Sequence, residues 1–142
     1  MVVDLSGVRI ASLNLSLVQL EEVNARTHSD REVWWRAEDK RFASYDLYYD
    51  ELSGSRLTIQ LRAYPVIKHT PKGVVLDLGF GDTKFVLGVA AKQWAVPTKE
   101  LALQDLVARK RIHAHMAELR LKTAREHLAA AEYHLGRLRH AE

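Results

Sequence analysis

Residues 103–138 read LQDLVARKRIHAHMAELRLKTAREHLAAAEYHLGRL, and a seven-residue repeat runs through them without a break. Val107, Ala114, Leu121, Leu128 and Leu135 form one line. Leu103, Lys110, Ala117, Ala124, Ala131 and Leu138 form a second, offset so that the steps alternate four and three. That is the a/d seam of a coiled coil, with leucine favoured on one line and alanine on the other. Small seam residues let two helix axes approach closely, so this segment is expected to lie against another helix. No upstream stretch offers a helix of comparable length, which makes a second copy of the chain the expected partner. The expected interface is Leu103, Val107, Ala114, Ala117, Leu121, Ala124, Leu128, Ala131 and Leu135. One flank of the seam reads Gln104, Arg111, Glu118, Arg125, Glu132, Arg139, and the other Leu106, His113, Arg120, His127, His134. Arginine and glutamate alternating at heptad spacing suit interhelical ion pairs that fix register. The histidines of the other flank offer a pH-sensitive alternative.

Upstream, Pro97-Thr98 marks where this helix begins, with Thr98 the natural N-cap and Glu100 in the first turn. From Lys99 to Arg139 only Gly136 interrupts good helix formers. About 40 residues at ~1.5 Å each give roughly 60 Å, longer than a domain of this size is wide. The helix must project, fold back at an unmarked turn, or lie along a partner. A second apolar stripe, Leu106, Ile112, Met116 and Leu119, occupies its first half, which is therefore expected between sheet and partner.

The rest of the chain reads as strands. Residues 8–15 alternate apolar and polar. Ser16 with Gln19 makes a capping-box pattern, and Leu17, Leu20 and Val23 predict a short helix ending near Arg26. Glu32–Ala37 and the tyrosine-rich Tyr45–Leu52 read as strands, and Ser53-Gly54-Ser55 as a turn into Arg56–Ala63. There Leu57, Ile59 and Leu61 alternate with polar residues. Pro65 and Pro71 confine Val66–Lys68 to an edge or a short strand. Val74–Leu78 and Lys84–Val89 flank Gly79-Phe80-Gly81-Asp82, a strong hairpin signal. The expected fold is α+β: an antiparallel sheet core with a short N-terminal helix over residues 1–97, and a long C-terminal coiled-coil-like helical arm over 98–142.

At 142 residues the chain is one domain with a single modest core. No apolar run approaches the ~20 residues that span a bilayer, and the first residues lack the pattern of a signal peptide. With no cysteine there is no disulfide, thiolate nucleophile or cysteine-held metal. A cytoplasmic protein is expected. From Pro97 onward nine Lys/Arg face six Asp/Glu, whereas the first 96 residues balance at twelve each. A neutral sheet thus carries a basic helix, which favours an anionic ligand but is too sparse a charge for duplex nucleic acid.

Several constellations bear on chemistry. Arg109, Lys110 and Arg111 make a basic cluster some three turns into the helix. It is either a solvated patch with Lys110 setting register from the seam, or a set of arms that reach a phosphate at a subunit junction. Trp94 could stack on a base, and the amides after Thr98 form an anion-friendly helix terminus. Trp34, Trp35, Tyr45, Tyr48 and Tyr49, interleaved with Arg36, Lys40 and Arg41, resemble a base-stacking platform but more commonly form a sheet core. His113 and His115 point about 200° apart on a helix, so they are poorly placed to share a metal. Gly79–Lys84 lacks P-loop spacing and leads into a strand. The chain has no G-x-S-x-G and no H-E-x-x-H, and Asp46 and Asp50 have no histidine near them in sequence. Binding without catalysis, with no metal and no cofactor, is the expectation.

The stretch from Gln93 through Trp94, Val96-Pro97-Thr98 and Ala108-Arg109-Lys110-Arg111 to His113, continuing into the Leu/Ala helix, resembles small phage-encoded proteins. In these a sheet is followed by an aromatic-Ala-x-Pro-Thr junction and an Arg-bearing helix. Among them the chain is most similar to the Thoeris anti-defence sponge family, over roughly Val66–Leu128. The resemblance implies a β core with long C-terminal helices, assembly from dimer to hexamer, and sequestration of a cyclic ADP-ribose-type or cyclic oligonucleotide immune signal without cleavage. It implies a site in the cytoplasm of the bacterial host and ligand contacts from Trp94, Arg109 and Arg111, to which the reading of the residues adds Lys110 and Thr98. A protein-binding inhibitor of a host defence complex, such as an anti-CRISPR factor, is the alternative.

Overall fold

The computed structural model describes residues 15–46, 51–90 and 92–141. Of the strand expected over 8–15 only Leu15 is among them, in a 3₁₀ turn, and the pair Tyr48 and Tyr49 lies outside them. Five strands and one long helix follow a 3₁₀ turn at Leu15–Leu17: β1 Gln19–Val23, β2 Val33–Asp46, β3 Glu51–Thr70, β4 Gly73–Gly79, β5 Asp82–Leu87 and α1 Lys99–Ala141. The α+β class holds, with one correction at the N-terminal side. Residues 19–23 are not a helix but a strand, paired in parallel with β3 from Gln19 opposite Thr58 to Val23 opposite Arg62. A helix of two or three turns is marginal by itself. As a strand, the same residues gain ladder bonds along β3, and the sheet becomes mixed instead of purely antiparallel.

β3 is the spine of the sheet. It pairs antiparallel with β2 from Glu51 opposite Asp46 to Pro65 opposite Val33, and with β4 from Val66 onward. Ser53-Gly54-Ser55 is therefore not a turn. Ser55 faces Ala43 and Ser53 faces Ser44, which leaves Gly54 as the extra residue of a bulge. Pro65, expected to limit strand length, sits inside a 20-residue strand. The Val66 amide donates to the Glu32 carbonyl at 2.9 Å, so the Pro65 nitrogen faces away from β2. On that side β1 ends at Arg62 and β4 begins at Val66. A missing N–H there breaks no ladder bond.

The hairpin expected around Gly79–Asp82 is present. Gly79 pairs with Asp82, and the two loop residues, Phe80 and Gly81, have φ of 54° and 81°. Positive φ at both central positions is the signature of a type I′ turn. At the β3–β4 turn the Thr70 hydroxyl donates to the Gly73 carbonyl at 3.0 Å and accepts from its amide at 3.1 Å.

Residues 14–107 form one compact unit. Alternation along β2 sends Trp34 and Trp35, each 8% exposed, to opposite faces and into two cores. Trp35, Ala37, Leu61, Ala63, Val96, Ala102 and Leu106 make the first; Trp34, Val74, Leu76, Val86 and Ala95 the second. Ile59 and Leu103 pack against the first. The two tryptophans are thus core residues and not a stacking platform. Ala102 and Leu106 are the buried residues of α1.

The second unit contains α1 from Ala108 onward. There is no fold-back: α1 is one helix of 43 residues, about 64 Å at 1.5 Å per residue. Of the stripe expected against the sheet, Leu106 is buried in the first core, whereas Ile112, Met116 and Leu119 are 55%, 44% and 45% exposed. On the seam, Leu128 and Leu135 are 58% and 48% exposed. No helix of the described residues is long and apolar enough to cross a membrane.

Candidate functional site

The segment between β5 and α1 is held to the edge of β2 by a two-bond bridge. The Trp35 amide donates to the Val96 carbonyl at 2.6 Å, and the Val96 amide to the Trp35 carbonyl at 2.9 Å. Ala95 and Val96, both buried, enter the two different cores. This fixes the backbone on either side of Trp94 and sets its indole, half-buried, against the second core.

Three side chains converge on that indole. Tyr64 of β3 meets it at 4.8 Å between ring centroids, tilted by 53°. The Arg36 guanidinium of β2 lies 4.9 Å from the ring centroid, and the Lys84 ammonium of β5 lies 5.2 Å from it. Both cations sit within reach of the ring quadrupole. Arg36 is further fixed through Nη1, which donates to the Trp94 carbonyl at 2.8 Å, and Nε, which donates to Glu38 at 2.9 Å. The Arg36 hydrogen bond holds the Glu38 carboxyl below its usual 4.5, against the opposing effect of burial and with help from Lys40. Burial pushes the Tyr64 phenol above its usual 10.0, and the Arg62 charge partly offsets this. Glu38 therefore balances Arg36 and Lys40, while Lys84 makes no ion pair among the described residues. An uncompensated ammonium beside a half-buried aromatic is a place where an anion carrying a flat ring is stabilised twice.

The helix start lies four residues on. Thr98 is the N-cap: the Leu101 amide donates to its hydroxyl at 3.2 Å, and the Ala102 amide to its carbonyl at 3.1 Å. Lys99 pairs with Glu22 of β1 and holds its ammonium 5.0 Å from the Trp35 ring centroid. Lys99 thus ties the first core's tryptophan, and Lys84 and Arg36 engage Trp94.

Of the residues singled out by sequence, Trp94 and Thr98 belong to the unit 14–107, whereas Arg109, Lys110 and Arg111 belong to the helical unit. Arg109 is half-buried; Lys110 and Arg111 are exposed. Sequence reading missed Tyr64 and Lys84 and saw Arg36 only as part of an aromatic platform. The signal was present in the alternation of β2, which sets Arg36 two positions from Trp34 on the same face. What places Tyr64 and Lys84 beside it is the pairing of Tyr64 with Trp34 and of Lys84 with Leu76.

A second concavity, of about 210 Å³, lies between the turn after β1 and strands β3 and β4. Asn24, His28, Arg62, Tyr64, Asp77 and Gly79 line it. One Asp77 carboxylate oxygen accepts the Gly79 amide at 2.8 Å, and Asn24 holds a left-handed φ of 66°. The lining contains no serine, threonine or cysteine to act as a nucleophile. Compared with family models, with curated proteins and with solved structures, the chain matches none.

Proposed function

We propose that this chain is a non-enzymatic phage anti-defence protein that sequesters a phosphate-bearing cyclic nucleotide, of cyclic ADP-ribose or cyclic oligonucleotide type, in the cytoplasm of a bacterial host. The observation that carries the reading is the Trp94 cluster, in which an indole, a phenol ring and two cations meet beside a capped helix start. Rings recognise the faces of a base, and Lys84, which makes no ion pair among the described residues, suits a phosphate. Arg109 and Arg111 enter the proposal through the resemblance and Lys110 through the basic cluster it completes with them. Self-association through α1 belongs to the same reading, since its apolar seam lies open in the single chain. Nucleic acid is not the proposed partner, because the basic residues form no dense stripe.

Calorimetry with cyclic ADP-ribose isomers and cyclic dinucleotides tests this directly. Stoichiometric binding is expected, with the ligand recovered intact by chromatography. Lys84→Ala should weaken binding by roughly 2 kcal/mol or more if the ammonium faces a desolvated phosphate, and Arg109→Ala likewise. Cleaved ligand would point to an enzyme.

One observation favours the alternative, a protein-binding inhibitor of a host defence complex. The β4–β5 hairpin bears exposed Phe80, Phe85 and Leu87 at 108%, 48% and 50%, with Val89 just beyond it at 97%. No nucleotide binding, together with loss of anti-defence activity on changing Phe80 and Phe85 to serine, would establish that reading instead.

A further inference from the structure

We infer that the helical unit pairs with a second copy of itself in antiparallel orientation and in one register. This rests on the self-association proposed above and adds what that proposal leaves open. Three properties of the seam point the same way.

The first is size. In a parallel pair each seam residue meets its own copy, so Leu121 faces Leu121 and Leu128 faces Leu128, while Ala117 and Ala124 face alanines. Wide and narrow layers would then alternate along one pair of axes, and no single separation fits both. Reversing one helix about a point between Leu121 and Ala124 sets Leu121 against Ala124 and Leu128 against Ala117. Ala114 then meets Ala131. Each central leucine meets an alanine.

The second is charge. Antiparallel helices bring like-named flanks together, and in this register Arg111 lies beside Glu132 of the second copy and Glu118 beside Arg125. Each contact occurs twice by the twofold axis. Among the described residues none of these four side chains has an ion-pair partner within its own chain, and Arg125 and Glu132 are exposed. Sliding by one heptad either way brings arginine onto arginine and glutamate onto glutamate. A parallel pair instead sets Arg120 beside Arg125. The other flank, in the antiparallel register, sets Arg120 beside His127 and His113 beside His134.

The third is Lys110, the charged residue of the seam. A parallel pair faces it with its own copy, two like charges across an apolar layer. The antiparallel register faces it with Leu135, along which its stem lies with the ammonium at the rim.

The chain has no cysteine, so single cysteines report orientation cleanly. Ala131→Cys alone should form no disulfide dimer, because the two sulfurs would lie about 25 Å apart. Ala114→Cys and Ala131→Cys chains, differently tagged and refolded together, should give a mixed disulfide. By ultracentrifugation Arg125→Glu should weaken association about tenfold, and adding Glu118→Arg should restore it. A homodisulfide of Ala131→Cys, or tighter association of Arg125→Glu, would show parallel helices and overturn the inference while leaving self-association intact. A full-length chain that stays monomeric overturns both.

Discussion

Phe80 holds a backbone conformation that a bulky side chain rarely adopts. Its φ of 54° belongs to the first loop position of a type I′ turn, where asparagine and glycine dominate, and its ring is 108% exposed. So exposed a ring gains no burial to offset that strain. Phe80→Asn should therefore raise stability by about 0.5–1 kcal/mol, read as a higher midpoint in urea, because asparagine tolerates the left-handed region. If the same change abolishes binding of a protein target, the strain is explained by function. Glu38 is a second single-residue test. Arg36 holds its carboxyl below 4.5, so the ionised form is worth more in the folded chain than in the unfolded one. That stability is present above the unfolded value and is lost as pH falls through the lowered folded value. Glu38→Gln should thus flatten the decline in thermal midpoint between neutral pH and pH values below 4.5. An unchanged acid limb would mean that the pairing with Arg36 contributes nothing.

Among the elements, those with local rules were legible in the sequence. Thr98, Glu100 and the heptads define α1, and Gly79–Asp82 defines the β4–β5 hairpin. The Trp34-Trp35 strand and the Ile59/Leu61 face were equally clear. Elements that depend on a distant partner were not. Gln19–Val23 carries a helical spacing and becomes a strand only because β3 offers it an edge. Gly54 looks like a turn until the 14-residue β2 lies beside it. The candidate site divides in the same way. Trp94 stands out by type, but Tyr64 and Lys84 reach it through sheet register, which no local pattern encodes. The cap itself is testable. Thr98→Ala removes the oxygen that accepts the Leu101 amide and should cost about 0.5–2 kcal/mol in denaturant unfolding. Thr98→Ser should recover most of it, and equal losses in both variants would place the effect outside the cap.

For the whole molecule, the test that matters is the proposed self-association through the exposed seam of α1. In the proposed pair, a charge at Ala124 would put a longer, ionised side chain into a close-packed layer and should break assembly, whereas Glu126→Ala, off the seam, should leave it unchanged. Sedimentation of the two variants decides whether the heptad register is right: equal masses would show that it is not. The sheet carries a different lesson in its wiring. Glu21 of β1 and Gln60 of β3 join side chains at 3.2 Å although 39 residues separate them. β2 and β3, by contrast, pair from Asp46 opposite Glu51, positions close together in the sequence. During folding the pairing of β2 with β3, near in sequence, comes at lower entropic cost, and β1 waits for a more distant partner. On the ribosome β1 emerges before the other four strands, yet it has no partner until Arg62 has been made. Of the described strands the earliest synthesised is among the last to be paired, and until then its backbone depends on water.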